Sequence, residues 1–264
     1  MVQSRKKRKD KKKLLGNHQK SWIWGRHAVL EILDAGRWPM KKLFLSETLQ
    51  SESLEHAQLR AEALGYAVSV EPMERLGELC RSGEHQGYLA QMLPYTYTNA
   101  SELKALLSQS EDKGRVPIVA LLDSIQDPFN FGAIARSAEV LGIDGIIIGS
   151  HNQVEVTSMV ARSSVGAVNH VPIAQVDDLI EYAKLLRKSG VTLVSATEKS
   201  TVNCTTHTFD SPTVIVLGNE GEGIQAELLE QCNVHIAIPQ QGQIDSLNVA
   251  AAAAIVFYEA RRSE

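Results

Sequence analysis

Six polar residues stand where their types and spacing could do chemistry: Asn130, Arg136, Asn219, Glu220, Ser246 and Asn248. Arg136 follows Asn130 by six residues on a segment otherwise rich in Ala and Ile. A guanidinium there needs an anion or a carboxylate. A phosphate suits its planar fork, and a structural ion pair with Glu139 or Glu220 is equally compatible. Asn130 can orient a ligand or simply cap the helix that follows. Asn219, Glu220, Ser246 and Asn248 fall just after apolar runs, where open α/β sheets bind their ligands.

The elements that must carry these groups are legible around them. Pro212–Leu217 reads as a buried strand, followed by the loop Gly218-Asn-Glu-Gly221-Glu-Gly223 and a short amphipathic segment. Val234–Pro239 is a second strand, and Asp245-Ser-Leu-Asn248 opens an alanine-rich helix. These apolar runs are short, β-branched and bounded by Gly or Pro, which favours strand over helix. Glycines at 218, 221 and 223 let backbone approach a ligand without Cβ atoms in the way, although such a loop can also be a plain turn. The spacing fits neither a phosphate-binding P-loop nor a dinucleotide fingerprint. The residues alone thus give an α/β domain with a small-ligand pocket near its C-terminal end, with the ligand unnamed.

A chain of 264 residues suits two domains, and 44% hydrophobic residues is ordinary for a globular protein. No run reads as a membrane span or as the apolar core of a secretory signal. Cys80, Cys204 and Cys232 are isolated, without a CxxC or His/Cys cluster. That argues against a disulfide framework and a metal site and fits a reducing cytoplasm. Charge is uneven: eight of the 27 basic residues and one of the 31 acidic ones lie between Arg5 and Lys13. The remaining 19 basic and 30 acidic residues form an acidic body. The first 20 residues read as a disordered basic arm, suited to RNA phosphates or to solubility.

Residues 21–94 read as a small α/β unit. A helix is expected around Ala28–Leu33 and another over Leu54–Leu64, with strands at Lys42–Leu45, Tyr66–Val70 and Tyr88–Met92. His85, in the polar loop before the last strand, is expected to be a surface or capping histidine. Residues 95–115 form a linker. From 116 to 264, strand and helix alternate: strands at Ile118–Leu122, Gly145–Ile148, Val171–Ile173, Val191–Ser195, Val214–Leu217 and Val234–Ile238, with helices at Ala133–Leu141, Leu179–Lys188 and Ile224–Gln231. That order predicts a mostly parallel sheet covered by helices.

Three segments together resemble the signature motifs of the SpoU (TrmH-like) family: Asp127-Pro-Phe-Asn130-Phe-Gly-Ala-Ile-Ala-Arg136, Leu217-Gly-Asn-Glu220-Gly-Glu-Gly223 and Ser246-Leu-Asn248-Val. These are S-adenosylmethionine-dependent RNA 2′-O-ribose methyltransferases of the SPOUT superfamily. Gly25-Arg26-His27 and His85-Gln86-Gly87 are similar to the L30e-like substrate-binding domain of the branch that modifies a guanosine of 23S rRNA.

The resemblance implies a deep trefoil knot, a general rarity among folds, and a homodimer packed through the final helix. Ala250–Ala254 offers that helix a small-residue face. It places cofactor contacts on Gly218, Ile238, Leu247 and Thr197, and substrate chemistry on Arg136, Asn130, Glu220, Ser246 and Asn248. Arg136 would clamp a phosphate and activate the ribose hydroxyl, since a guanidinium with a pKa above about 12 is a poor base. Asn130 would orient substrate, Glu220 would hold Arg136 or the ribose, and Ser246 and Asn248 would shape the pocket. No metal is required. A tRNA or another rRNA nucleotide is the near alternative substrate, and a non-catalytic ribosome-assembly factor the alternative of a different class.

Overall fold

Short β-branched runs make the strands of this protein, and the residues that interrupt them set the strand ends. The computed structural model describes residues 21–108, 115–244 and 246–262. The basic arm, the middle of the expected linker and Asp245 lie outside the described residues. The chain divides into two compact units. One holds residues 21–96 together with Val156–His170, and the other holds Tyr97–Glu155 and the chain from Val171 onward.

The first unit carries a four-stranded sheet in the order β1-β4-β2-β3: β1 (Trp22–Trp24), β2 (Met40–Ser46), β3 (Ala67–Glu71) and β4 (Tyr88–Met92). Strand β4 runs antiparallel to β1 and β2, whereas β2 and β3 are parallel. Helices α1 (Arg26–Ala35), α2 (Ser51–Ala63) and α3 (Met73–Cys80) flank it. Helix α1 buries Ala28, Val29, Ile32 and Leu33, an i, i+1, i+4, i+5 stripe on one face. It stops at Gly36, whose left-handed φ of 62° closes a C-terminal cap onto the Ile32 carbonyl. Helix α3, which the sequence reading passed over, buries Leu76 and Cys80 one turn apart around a mid-helix glycine. His85 is buried, and its Nδ1 accepts the Gly87 N–H at 3.2 Å, so it caps a turn from inside rather than from the surface. The short helix α4 (Ala100–Ser108) belongs to the second unit, and α5 (Ser158–Ser163) to the first.

The second unit is built on six parallel strands: β5 (Ile118–Leu122), β6 (Gly145–Gly149), β7 (Ile173–Val176), β8 (Thr192–Ala196), β9 (Thr213–Leu217) and β10 (Val234–Ile236), in the order β10-β8-β9-β5-β6-β7. Strands β5, β6 and β9 are buried along their whole length, as expected when both sheet faces are covered. Alternation sends Val119, Leu121, Ile147, Val214 and Val216 into one core with Leu103, Leu179, Ala183 and Leu186. On the other side, α6 (Pro128–Val140) packs against α9 (Val249–Arg261). Both bury alanines there, Ala135 and Ala138 on one and Ala253 and Ala260 on the other. Helices α7 (Leu179–Lys188) and α8 (Ala226–Leu229) cover the first core, to which α8 adds Leu228. The expected strand at Val171–Ile173 begins instead after Pro172, which has no N–H to give a ladder. The helix expected over Ile224–Gln231 is one turn long.

Candidate active site

Three loops at the ends of parallel strands converge on a chain of side-chain amides. The first follows β5, where Asp127 caps α6 by accepting the Phe129 N–H at 2.9 Å and Pro128 occupies the first turn. This corrects the capping role for Asn130: with the cap filled by Asp127, the Asn130 side chain is free to point elsewhere. The second loop follows β9, and the third leads into α9. There Asn248 is the cap, its Oδ1 accepting from Ala250 at 3.0 Å and Ala251 at 3.3 Å.

Those cap bonds orient everything upstream. With its oxygen committed to the helix, Asn248 must present Nδ2, which donates to Asn130 Oδ1 at 2.9 Å. Asn130 then turns its own Nδ2 to Glu220 Oε1. The donor and acceptor ends of both amides follow from this chain rather than from a free choice of flip. Asn130 is half-buried, while Glu220 and Asn248 are exposed. The Glu220 carboxylate thus holds Asn130, not Arg136.

Arg136 is exposed and makes no ion pair or hydrogen bond with any described residue, so neither Glu139 nor Glu220 neutralises it. Ser246 is likewise exposed, with no hydrogen bond to a described residue.

The Gly218–Gly223 loop folds back on itself. Asn219 and Gly223 exchange two backbone hydrogen bonds of 3.2 Å, and Asn219 Oδ1 accepts from Gly221 at 2.8 Å and Glu222 at 2.7 Å. A Cβ on Gly218 would overlap the Gly223 carbonyl and the Ile224 nitrogen, so only glycine fits. One residue the sequence reading missed locks this loop to the sheet. Asp123, 2% exposed, accepts the Gln225 N–H at 2.8 Å and its side-chain Nε2–H at 3.1 Å. An acid directly after five buried apolar residues was the available signal.

Thr197 N–H donates to the Ile236 carbonyl at 2.9 Å. Ile238 is half-buried just beyond β10, and Leu247 is 42% exposed just before Asn248. A hollow of about 830 Å³ lies along β10, and Thr197 is the one predicted site residue that lines it. Among the described residues no group of three His, Cys, Asp or Glu could hold a metal.

The SpoU rRNA Methylase family matches residues 117–258, which contain all three converging loops. The chain belongs to the SpoU rRNA methylase family. A second family, described as RNA 2′-O ribose methyltransferase substrate binding, matches residues 22–98. The TrmH family tRNA/rRNA methyltransferase YacO of Bacillus subtilis is 31% identical over 93% of this chain and 97% of its own length. A solved rRNA methyltransferase from Sinorhizobium meliloti, bound to AdoMet, superposes with a TM-score of 0.79. It is 27% identical, over 96% of this chain and 90% of that one. The SpoU methyltransferase AviRb of Streptomyces viridochromogenes, 23% identical, shares the fold with a TM-score of 0.76 over 94% of this chain and 91% of its own. This SpoU protein is therefore an RNA 2′-O-ribose methyltransferase, and the amide chain lies within its family match.

Proposed function

We propose that this SpoU enzyme methylates the 2′-hydroxyl of a guanosine in 23S rRNA, with S-adenosylmethionine as donor. The observation that carries the reading is the Asn248–Asn130–Glu220 chain, which joins the glycine loop to the helix that also carries Arg136, a cation with no ion-pair partner among the described residues. The residues fit the donor: the Gly218 turn leaves no room for a Cβ, and the exposed apolar Leu247 and half-buried Ile238 offer surface to cover. Thr197, Gly218, Ile238 and Leu247 would hold it. The cofactor contributes an electrophilic methyl group carried on a sulfonium.

The protein residues have the other tasks. Arg136, with no carboxylate partner among the described residues, clamps the substrate phosphate and polarises the ribose hydroxyl electrostatically. A guanidinium is a poor proton acceptor, so Arg136 is not assigned as the base. Asn130, held at both ends, fixes the ribose orientation, and such positioning can supply a large part of the rate. Glu220 keeps Asn130 in register, and Asn248 ties that register to the start of α9. Ser246 completes the wall.

The knot belongs to the same proposal. Thr197 bonds the Ile236 carbonyl on one side, while Ala237 donates to Val202 at 2.7 Å and accepts from Cys204 at 2.8 Å on the other. A segment held between the start and the end of one loop is what threading requires. Phe129, 62% exposed on α6, and Tyr258, 55% exposed on α9, support a homodimer through these helices. Cys80, Cys204 and Cys232 are buried and unbridged, in keeping with the cytoplasm. Residues 21–94 act as the L30e-like RNA-binding domain and 116–264 as the knotted methyltransferase, with the basic arm adding phosphate contacts.

Incubating the enzyme with unmodified 23S rRNA and with tRNA, then mapping ribose methylation, tests the substrate. One modified guanosine in 23S rRNA is expected. Modification of tRNA alone would overturn the choice of substrate.

A further inference from the structure

The first unit contains a cavity of about 260 Å³ at the start of α1, lined by Trp24, Gly25, Arg26, His27, Gln86 and Arg162. We infer that this cavity binds a backbone phosphate of the RNA substrate, with Arg162 as its floor and the first turn of α1 as its wall. The inference rests on the reading of the chain as an RNA methyltransferase.

Arg162 carries the argument. Its guanidinium stacks over the Trp24 ring, 3.9 Å from the centroid. It is half-buried, and among the described residues it forms no salt bridge and its buried Nε has no acceptor. Burial lowers its pKa from the usual guanidinium value, and the nearby Cys80 offsets this only in part. A cation taken out of water without a counter-charge is costly, and what it lacks is an anion. The stacked indole beneath it is 8% exposed and its Nε1–H also has no acceptor among the described residues.

Helix α1 supplies a second set of donors. Gly25 precedes it at φ +99°, a conformation glycine tolerates, and provides no side-chain cap. The Arg26 N–H is taken by Gln86 Oε1 at 3.1 Å, while the N–H groups of His27 and Ala28 donate to no described group. No acidic residue lies in the first turn, so no charge on the helix itself offsets its positive end at the cavity. Arg26 and His27 are exposed at the rim. Glu84 also lines the cavity, yet it is exposed and pairs with neither arginine.

A flat guanidinium fork and convergent backbone N–H groups recognise a tetrahedral oxyanion with several acceptors. The cavity is smaller than the roughly 300–1,000 Å³ of pockets that enclose a whole ligand, which suits one group on a polymer.

The test uses the full chain and a fluorescently labelled rRNA fragment, with affinity measured by anisotropy across a series of KCl concentrations. Arg26→Gln and Arg162→Gln should each weaken binding about tenfold, as expected for loss of a charged hydrogen bond. Each should lower the magnitude of the salt slope by roughly 0.7 to 0.9, one phosphate contact's worth. Arg75→Gln, at an exposed position in the same unit already paired with Glu78, should leave the slope unchanged. Arg26 is exposed and outside the core, so its variant reports binding even if Arg162→Gln destabilises the unit. Wild-type affinity and slope in both variants, in a preparation that methylates RNA, would overturn this inference alone. A wild-type chain that neither binds nor methylates RNA would overturn it together with the enzyme reading.

Discussion

Replacing Gly218 with alanine is the sharpest perturbation of the loop proposed to hold the cofactor. The added Cβ would sit closer than 3.0 Å, a separation real Cβ atoms essentially never show, to three backbone atoms of Gly223 and Ile224. These are main-chain atoms, so no side-chain rotation relieves the overlap. Restoring a carbon–carbon contact near 3.5 Å requires the two limbs of the loop to part by more than about 1 Å. The paired Asn219–Gly223 hydrogen bonds, already 3.2 Å, cannot survive that separation. Losing two backbone bonds at about 1 kcal/mol each, with residual strain of about 1 to 2 kcal/mol, destabilises the protein by about 3 to 4 kcal/mol. For a domain of this size that lowers Tm by about 6 to 16 °C. Scanning calorimetry measures this directly, and titration calorimetry with S-adenosylmethionine should find binding weakened at least tenfold. A Gly218→Ala protein with unchanged Tm and unchanged cofactor affinity would refute the account of this loop.

Asn248→Asp keeps a good cap on α9 but removes the donor to Asn130, so kcat should fall at least tenfold while Tm stays within about 2 °C; parallel losses of both would mean the amide serves the helix only. Arg136→Ala should abolish methyl transfer without changing Tm or cofactor affinity, since the exposed side chain makes no hydrogen bond or ion pair with a described residue; full turnover would remove its assigned role. Deleting residues 1–13, which carry eight basic side chains, should lower the magnitude of the salt slope of RNA binding by about 2 if three phosphates are lost; an unchanged slope would make the arm irrelevant to binding. Burial lowers the pKa of His85, so the unfolded chain takes up its proton first and the residue's stabilising effect, full above about pH 6.5, is lost as pH falls through the folded value. The Tm gap between wild type and His85→Gln should therefore narrow from pH 7.5 to 5.5, and a constant gap would contradict the buried-acceptor role.

The parallel sheet was legible because β5, β6 and β9 are unbroken apolar runs, which few other contexts tolerate. The candidate site residues stood out as types, and the loops carrying them as loops. Their connections were not. Asn130 and Glu220 lie 90 positions apart, and nothing local to either predicts that they bond. The Asp127-Pro128 pair did carry a helix-start signal that places the cap three residues before Asn130, and the amide there competed with it as a plausible cap. Asp123 went unnoticed because an acid after a strand usually faces water, whereas this one is buried by a loop from 102 residues later in the chain. Val156–His170 packs with the first unit even though it interrupts the strand–helix alternation of the second, a long-range pairing that periodicity does not report. Helix α3 was hidden by Gly77, which lowers helical propensity and here comes within van der Waals reach of His85 if given a side chain.

The central claim is transfer of a methyl group to a ribose hydroxyl, and the chemistry of RNA cleavage tests it directly. Alkali cuts RNA through the free 2′-hydroxyl, so a nucleotide methylated there remains joined to its neighbour. RNA labelled by this enzyme from tritiated S-adenosylmethionine should, after alkaline hydrolysis, release its tritium in dinucleotides. Tritium released in mononucleotides would mean that a base is the acceptor, and the ribose assignment of the Asn130 and Arg136 site would be wrong.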